Sequence, residues 1–592
     1  MNERNPFIVK RGFRHFFSAT IVLALVEQIC QVIDMVLAGR FVNADAFSAL
    51  ELVFPYELFI TSVLILLTGG AGVIASQFIG EQEFEKSNRV LSNALVLSLT
   101  VTAAITLLSL IFIDTLIRFL CADIELAGYI KEYLIVYIAT LPLIAAYTAL
   151  SEIINVDGKP EVATFAVVVA VTADVLLDII LMGMFDLGVT GVAFATFFSY
   201  LIPVLIFVIY FLLKRCSFKF MFKIREIFTD FKSVLRSGVP YSMPHLLTSV
   251  FCLLFNGAAL YALGQEGVYA WGTGYQIMSI GIMIVNSIFG TILVTMGSML
   301  HGCGDNEGLG ILAKHCLTFC AISISAVIIP VIIFPGAVAS LFGEGSTEVL
   351  HAIRWPVILS VLFLIPYTLC CLRTSLAQAL SEVRLPFAPM LTLYPLTYLF
   401  ILLFAIFLPE HLFLSLPAAG LVYISLDHIA SGMLDKKHRD WMKFFQIPPS
   451  GSIRSLYISI PYTKEGLNGS LRQLETFLDG CRISGSLSYA INICSEELLM
   501  SIVEHNGHGR ENYFFDFSVM EDKDSVKVVF KDAGRPFNPV RKFEKTAAEA
   551  YLDGENMHLS LQILNSMCKE LSYNYMYGQN TIYMSFNKNR PE

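Results

Sequence analysis

Two carboxylates stand in the middle of an apolar segment that is long enough to cross a lipid bilayer. They are Asp174 and Asp178, within PEVATFAVVVAVTADVLLDIILMGMFDLGVTGVAFATFFSY (160–200). A spacing of four residues places both acids on one face of a helix, one turn apart. Each acid costs about 2.5–3.5 kcal/mol at mid-membrane, so such residues face a polar interior and usually lie on an ion or proton path. The pair therefore predicts a cation-binding site inside a membrane domain.

Composition supports a membrane protein with several spans. The chain has 592 residues, 55% hydrophobic and 15% charged, with a mean hydropathy of +0.66. Soluble domains carry about 25% charged residues. The formal net charge of −9 gives no support for a nucleic-acid partner. The twelve cysteines show neither CxxC nor paired zinc spacing, which indicates small buried side chains in a reducing cell and predicts no metal site.

Twelve apolar runs of about 20 residues predict an all-α polytopic domain of twelve transmembrane helices in two six-helix repeats. The expected spans lie near 14–39, 52–79, 91–117, 128–153, 160–182, 188–213, 238–263, 268–300, 311–341, 349–379, 385–408 and 412–433. Repeat one covers about 14–213 and repeat two about 238–433, joined by a linker at 214–236. Aligning the repeats sets Asp34 on Asn256. Repeats of this kind indicate a secondary transporter whose cavity lies between the halves.

Basic residues define the expected orientation. They cluster at the N-terminus, in the 214–236 linker and after residue 435, whereas the alternate loops carry little beyond Arg118 and Lys131. By the positive-inside rule, both termini are expected on the cytoplasmic side of a bacterial plasma (inner) membrane. No cleavable signal is expected, because the first apolar stretch is long, holds Glu27 and Asp34, and lacks a small-residue cleavage site.

Four motifs in residues 1–435 resemble the multidrug and toxin extrusion (MATE) transporters. They are VIDMVLAGRFVNADAFSALELVFP, LLTGGAGVIASQFIGE, GKPEVAT and LGVTGVAFAT, in family order and spacing. The resemblance implies a cation-coupled antiporter that exports amphipathic organic cations and other drugs. Such a protein is a secondary active transporter rather than an enzyme, and its partners are a small-molecule substrate and the bilayer. Transport then needs no cofactor beyond H⁺ or Na⁺ as coupling ion.

The branch of this family that couples through its N-terminal lobe, the DNA-damage-inducible type, is the nearest. Its coupling positions fall on four residues here: Asp34, Asp174, Asp178 and Thr196. Asp174 stands where the family commonly has Asn, so the site holds three acids. Close carboxylates in a low-dielectric site cannot all be ionised, which favours proton over sodium coupling. The first helix also lacks the proline on which the family's proposed helix bending depends.

Three further polar residues are candidates for the substrate cavity. Glu27 lies two helical turns before Asp34 on the same face, Glu57 is in the second helix, and Asn256 is the repeat counterpart of Asp34. Each acid also fits an interfacial position near a helix end.

The composition changes after a linker at 436–452, and residues 453–592 predict a cytoplasmic α+β domain. SEELLMSIVEHNG, DAGRPFNP and YGQN resemble the ATP-binding sandwich of the histidine-kinase/Hsp90/MutL class, nearest to anti-sigma serine kinases. The resemblance implies an ATP/Mg²⁺ site. Its candidate residues are Glu497, Ser501, His505, Asp532, Gly534 and Asn580.

Two departures from that pattern weaken phosphate binding. Ser501 replaces the Asn that would hold Mg²⁺, and HLSL (558–561) replaces the glycine-rich GLGL lid. We therefore expect a degenerate nucleotide-binding tail that regulates the transporter, through a tail-mediated dimer or a partner protein, rather than an active kinase. His505 and His508 lack the spacing of a metal site.

Two alternatives remain open at this stage. A membrane receptor that signals through the tail would bind nucleotide in response to a ligand, without moving solute. A flippase for a lipid-linked oligosaccharide would line its cavity with cations, and central Lys or Arg is absent here. An ABC-type pump is excluded because the chain contains no Walker A motif.

Overall fold

The computed structural model describes most of the chain. The residues outside the description are 1–5, 81–83, 122–123, 158, 214–217, 222–228, 303–304, 343–352, 381–386, 438–453, 482, 507–513, 522–524, 536–537, 539–567, 569, 577–578 and 589–592. The HLSL segment, about half of the 214–236 linker and most of the 436–452 linker lie outside the described residues. The side chain of Glu27 does so too, although its backbone is helical.

The first half of the membrane part is helical throughout its described length. Its helices are α1 (Phe7–Phe41), α2 (Ala44–Gly80), α3 (Phe84–Ile111), α4 (Ile113–Leu120), α5 (Ile124–Val156), α6 (Pro160–Asp178) and α7 (Gly188–Leu212). Pro160 opens α6, where its fixed φ suits a first helical turn. The chain continues from Asp178 as π-helical turns over Ile179–Met184 before a reversal at Gly188, whose φ is +56°. The predicted span near 91–117 is divided between α3 and α4.

The second half begins with one very long helical element. Its helices are α8 (Phe231–Met283), α9 (Thr291–Gly302), α10 (Asn306–Ile333), α11 (Pro335–Ala339), α12 (Arg354–Leu362), α13 (Leu364–Ala379), α14 (Ala388–Phe407) and α15 (Ser415–Lys437). π-Helical turns at Ile284–Gly290 join α8 to α9. Gly264 interrupts α8 with φ +67° and ψ −154°, a conformation that glycine adopts without strain.

Ten described helical segments are long and apolar enough to cross a membrane. One of them runs from Phe231 to His301, 71 residues, which at 1.5 Å per residue greatly exceeds a hydrocarbon core of about 30 Å. The break at Gly264 is therefore the natural boundary between two spans. The count of twelve stays a prediction.

Helices α2 and α8 run antiparallel and hold the two halves together. Ser249 Oγ donates to the Pro55 carbonyl oxygen at 2.7 Å, and Ser62 Oγ donates to the Ser242 carbonyl oxygen at 3.1 Å. Further along, the backbones approach so closely that a Cβ on Gly238 would lie 2.0 Å from the Leu66 carbonyl oxygen. Among the described residues, this contact is the most extensive one between the two halves of the membrane part.

The tail contains a five-stranded antiparallel sheet and two helices. The elements are β1 (Arg454–Pro461), α16 (Lys464–Asp479), α17 (Gly485–Asn506), β2 (Phe514–Glu521), β3 (Ser525–Asp532), β4 (Glu570–Met576) and β5 (Gln579–Asn587). The strand order is β1-β2-β3-β5-β4. Apolar residues of alternate strand positions, such as Phe517 and Phe530, pack with Leu474 and Leu498 of the helices. One face of the sheet is thus covered by helices.

Candidate functional site

The membrane acids predicted from sequence come together where α1 meets α6. Asp178 is the last residue of α6 before the π-helical turns, and its side chain is 1% exposed. Neither of its carboxyl oxygens accepts a hydrogen bond from a donor group in the described part of the chain. The carboxyl of Asp34 lies within hydrogen-bonding reach of Asp178. Two carboxyls can form such a bond only if one of them holds the proton.

Asp174 contacts α7 through Ser199, a residue that the sequence analysis did not predict as part of the site. Ser199 lies within hydrogen-bonding reach of the Asp174 carboxyl, and its Oγ donates to the Thr196 carbonyl oxygen at 2.9 Å. Thr196 itself donates from Oγ1 to the Val192 carbonyl oxygen at 3.0 Å. Ser199 lies one helical turn after Thr196, so helical spacing alone pointed to the same face of α7.

Glu57 of α2 adds a fourth acid. Its Oε1 accepts a hydrogen bond of 2.7 Å from Tyr133 Oη, and the Tyr133 ring stacks on Tyr137 with centroids 5.6 Å apart. Glu57 is also close enough to act electrostatically on Asp34, and the main electrostatic neighbours of Asp34 are all acids. In a low-dielectric interior such a cluster must take up protons or a cation.

A separate buried acid, Glu51, lies in the interface between α2 and α8. Glu51 is 0% exposed; its Oε2 accepts from Gln276 Nε2 at 3.1 Å, and its Oε1 has no hydrogen-bond partner in the described residues. Asn256 donates from Nδ2 to the Glu51 carbonyl oxygen at 2.8 Å and is 1% exposed. The structure thus places Asn256 in the helix–helix contact rather than in a cavity wall.

A cavity of about 770 Å³ lies between α2 and α5, beside the start of α8. Its polar wall includes Thr68, Ser76, Thr148, Ser151 and Glu152, and the rings of Tyr147 and Tyr241 also line it. Gly72 lets the Glu152 side chain approach α2, since a Cβ there would lie 1.7 Å from Glu152 Oε1. Glu57 and Asn256, which the sequence analysis placed in the substrate cavity, are not among its described lining residues. Glu152 was missed as a cavity residue because a single acid near a helix end is a common sequence feature.

In the tail, three of the six candidate nucleotide-site residues converge. Asp532 ends β3 opposite Asn580 of β5, and Asn580 Nδ2 donates to Asp532 Oδ2 at 2.9 Å. The Gly534 amide donates to Asp532 Oδ1 at 3.0 Å, and Tyr462 Oη donates to the same oxygen. The carboxylate that would hold an adenine amino group is thus already occupied by groups of this chain, and Asp532 is 2% exposed.

The other three tail candidates lie on α17. Glu497 and Ser501 are half-buried and His505 is exposed.

The buried carboxyl of Asp532 predicts a pH dependence of tail stability. Burial raises the pKa of Asp532 to about 6, from 3.8, although the hydrogen bonds from Asn580 and Gly534 and the charge of Arg11 act to lower it. The folded tail therefore binds this proton more tightly than the unfolded tail, so stability is highest below pH 4 and falls as the pH rises through about 6. We expect the free energy of unfolding of the tail to be lower at pH 7 than below pH 4 by up to about 3 kcal/mol.

Hydrogen exchange of β3 and β5 amides in the full chain, corrected for intrinsic rates, measures this loss. Asp532→Asn should flatten the profile between pH 4 and pH 7. A wild-type profile that rises over this range, or one that matches the variant, contradicts the assignment.

Comparison with known proteins shows which proteins the helical part is similar to. Residues 19–180 match the model of the MatE family. The multidrug export protein MepA of Staphylococcus haemolyticus is 24% identical over 276 residues, 46% of this chain and 61% of the relative. MepA of Staphylococcus aureus strain COL is 23% identical over 284 residues, 48% of this chain and 62% of the relative. The chain thus spans less than two thirds of the length of these relatives.

Solved structures agree at the level of fold. An inward-facing multidrug resistance MATE family transporter of the MOP superfamily superposes with a TM-score of 0.62 at 21% identity, covering 70% of this chain and 95% of the other. A MOP superfamily transporter from Pyrococcus furiosus, described as having a binding pocket of reverse polarity, superposes with a TM-score of 0.58 at 21% identity. The match covers 73% of this chain and 96% of the other. The helical part of this chain has the fold of the MATE family transporters.

Proposed function

We propose that the chain is a cation-coupled antiporter that exports organic cations and related amphipathic drugs, with proton as the coupling ion. The observation that carries this proposal is the cluster of four acids on α1, α2 and α6, in which Asp34 and Asp178 are within hydrogen-bonding reach of each other. Burying unpaired carboxylates is too costly to persist without a function. A site that must gain or lose a cation is a coupling site.

The arrangement supports protons over sodium. A hydrogen bond between two carboxyls needs one proton and no metal, and the Ser199 hydroxyl can accept from a protonated Asp174 while it donates to Thr196. Proton release would leave adjacent negative charges that repel, so protonation state and helix packing are linked. The Thr196 hydroxyl donates to a carbonyl oxygen of its own helix, α7. We therefore assign Thr196 a packing role beside the acid cluster.

The cavity supports an amphipathic cationic substrate. Its volume is in the range of small-molecule sites, and it combines one carboxylate, Glu152, with the rings of Tyr147 and Tyr241. Aromatic faces and a carboxylate together attract an organic cation with an apolar body. The substrate cavity is therefore assigned to the space between α2 and α5, and Glu57 to the coupling cluster.

Packing at the junction of α1 and α2 supports entry of substrate into the cavity from the opposite end of α2. The Phe47 ring packs against Tyr269 and Phe342, with centroids 5.4 and 6.0 Å apart, and Arg40 donates to the carbonyl oxygens of Leu341 and Ser340. This end of the interface is closed, whereas the cavity extends to Ser76 near the other end of α2. With the predicted twelve spans and cytoplasmic termini, the open end faces the cytoplasm.

The tail is assigned a regulatory role in this proposal, as a degenerate member of the histidine-kinase-like ATPase class. Tyr462 and Asn580 hold the Asp532 carboxylate, so ATP would have to displace them. A receptor that signals through bound nucleotide is less well supported by this closed arrangement. A lipid-linked oligosaccharide flippase is less well supported by the acidic interior.

Uptake of a fluorescent organic cation into everted membrane vesicles, without ATP, tests the function. An imposed proton gradient should drive accumulation, and a protonophore should abolish it. Accumulation driven only by sodium would overturn the choice of ion. No accumulation under either gradient, from a chain that is present in the membrane, would overturn the antiporter.

A further inference from the structure

The tail sheet is buried on both faces, which its sequence does not predict. In β2, Phe515, Phe517 and Val519 point into the helix-covered core, while Asp516 and Ser518 occupy the opposite face. An antiparallel sheet with helices on one side commonly leaves such a polar face in water. Here Asp516 is only 7% exposed and Ser518 8%. Another part of the molecule therefore covers this polar face.

Part of the cover is Asp305, which directly precedes α10 of the membrane part. Lys531 of β3 pairs with Asp305, with Nζ 3.5 Å from Oδ2, and the two side chains are 5% and 3% exposed. Asp305 is the N-cap of α10, and its Oδ1 accepts from the Gly308 amide at 2.8 Å. A small cleft at the junction is lined by Asp305 together with Tyr457, Asp516, Ser518 and Lys531.

The same surface of the tail also meets the start of α1. The rings of Phe7 and Phe514 lie 6.4 Å apart, and Arg11 acts electrostatically on Asp532. Two turns after Phe7, the Phe13 ring packs against Phe319 of α10 at 5.2 Å. Helix α1 then continues to Asp34. The tail is thus in contact with the helix of the coupling cluster and with the second repeat at once.

We propose that the docked tail is a built-in brake, which holds α1 and the start of α10 in the arrangement seen here. This inference rests on the proposed antiport function, in which α1 must shift as Asp34 gains or loses its proton. A tail that binds one arrangement better than the other raises the population of that arrangement and slows exchange between them. The Lys531–Asp305 pair is the contact to break, because removing one partner of a buried ion pair leaves the other charge uncompensated.

Docking is tested separately from transport. A protease site placed in the 438–453 segment of the full chain allows the tail to be cut from the membrane part, and a wash at physiological salt shows whether it stays bound. We expect the wild-type tail to stay bound and Lys531→Met to release at least ten times more of it. Lys588→Met is the matched control, because it breaks a pair inside the tail, Lys588–Glu521 at 2.7 Å, and should leave docking unchanged.

A variant in the membrane part distinguishes loss of the ion pair from misfolding of the tail. Asp305→Asn leaves the tail sequence intact and keeps a good N-cap for α10, but it removes the charge that faces Lys531. It should release the tail as Lys531→Met does. If the tail stays bound in Asp305→Asn, the ion pair does not hold the interface and the proposal is wrong.

Transport by the uncut chains tests the brake itself. We expect Lys531→Met and Asp305→Asn to raise the initial rate of gradient-driven uptake two- to tenfold, with Lys588→Met at the wild-type rate. Released tails with an unchanged or slower rate would overturn the brake while leaving the docking surface intact. An absence of uptake in every chain, wild type included, would overturn the antiport function and the brake with it, whereas the wash assay would still decide the docking.

Discussion

Replacing Asp178 with Asn is expected to abolish proton-driven uptake, reducing the initial rate at least a hundredfold. Asn fills the same volume, but its amide cannot gain or lose a proton near neutral pH. In the structure, Asp178 is within hydrogen-bonding reach of Asp34 and has no donor partner in the described residues. The variant therefore removes the exchangeable proton from this pair while the helices can still pack.

Initial rates in everted vesicles, normalised to the amount of chain in the membrane, measure the effect. Asp114→Asn is the matched control: it removes a carboxylate from the same half of the membrane part, but one that is exposed and paired with Lys131 at 3.1 Å. Its rate should equal that of the wild type. Asp174→Asn should retain part of the activity, because the Asp34–Asp178 pair stays intact. Normal uptake by Asp178→Asn would show that this pair is not the coupling site.

The acid cluster illustrates what a sequence can predict about this fold. Asp174 and Asp178 are one helical turn apart in an apolar run, so periodicity and the cost of buried charge were enough to mark them. Ser199 follows from the same periodicity, as it lies one turn after Thr196. Short-range regularity thus indicates which residues share a helix face, and the identity of the facing helix came from the family resemblance.

Glu51 shows where such reasoning ends. Its partner Gln276 belongs to α8, 225 residues away in the chain. Neither residue has local spacing that marks it, and the contact exists only because α2 packs along α8. Tyr462 is a similar case, since its bond to Asp532 joins the residue after β1 to the last residue of β3, and β2 lies between these two strands in the sheet. Contacts between distant segments follow from packing, which no short pattern encodes.

The polar face of the tail sheet shows how a sound local rule can mislead. Alternating side chains in β2 predict one solvated face, and the alternation itself is present. The alternation does not show that a surface around Asp305, far away in the sequence, covers this polar face. Polar residues remain on the covered face because Lys531 and Asp305 compensate each other there. Alternation therefore identifies the face but not its environment.

Replacing Gly39 with Ala is expected to lower the uptake rate at least tenfold by preventing closure at the α1–α2 end. A Cβ at this position would lie 2.0 Å from the Phe342 carbonyl oxygen, a backbone atom that cannot rotate away as a side chain does. The neighbouring Arg40 donates to the Leu341 and Ser340 carbonyl oxygens, so the two segments are held in register here. An added methyl group must push them apart, and the arrangement with this end closed becomes less populated.

Gly257→Ala is the control for this change, since it adds the same methyl group inside α8 at a position where no atom beyond the local helix backbone lies within 4 Å. It should transport at the wild-type rate. Thiol labelling of a cysteine placed at Ala46, which is 0% exposed, reports closure while the Phe47 ring stays in place. Labelling from the predicted extracellular side should be slow in the parent chain and at least tenfold faster with Gly39→Ala. Slow labelling together with normal uptake in Gly39→Ala would mean that this contact is not the gate. Fast labelling with normal uptake would mean that the end opens without limiting the cycle, and the rate-limiting step would then lie with the α1 movement that the docked tail restrains.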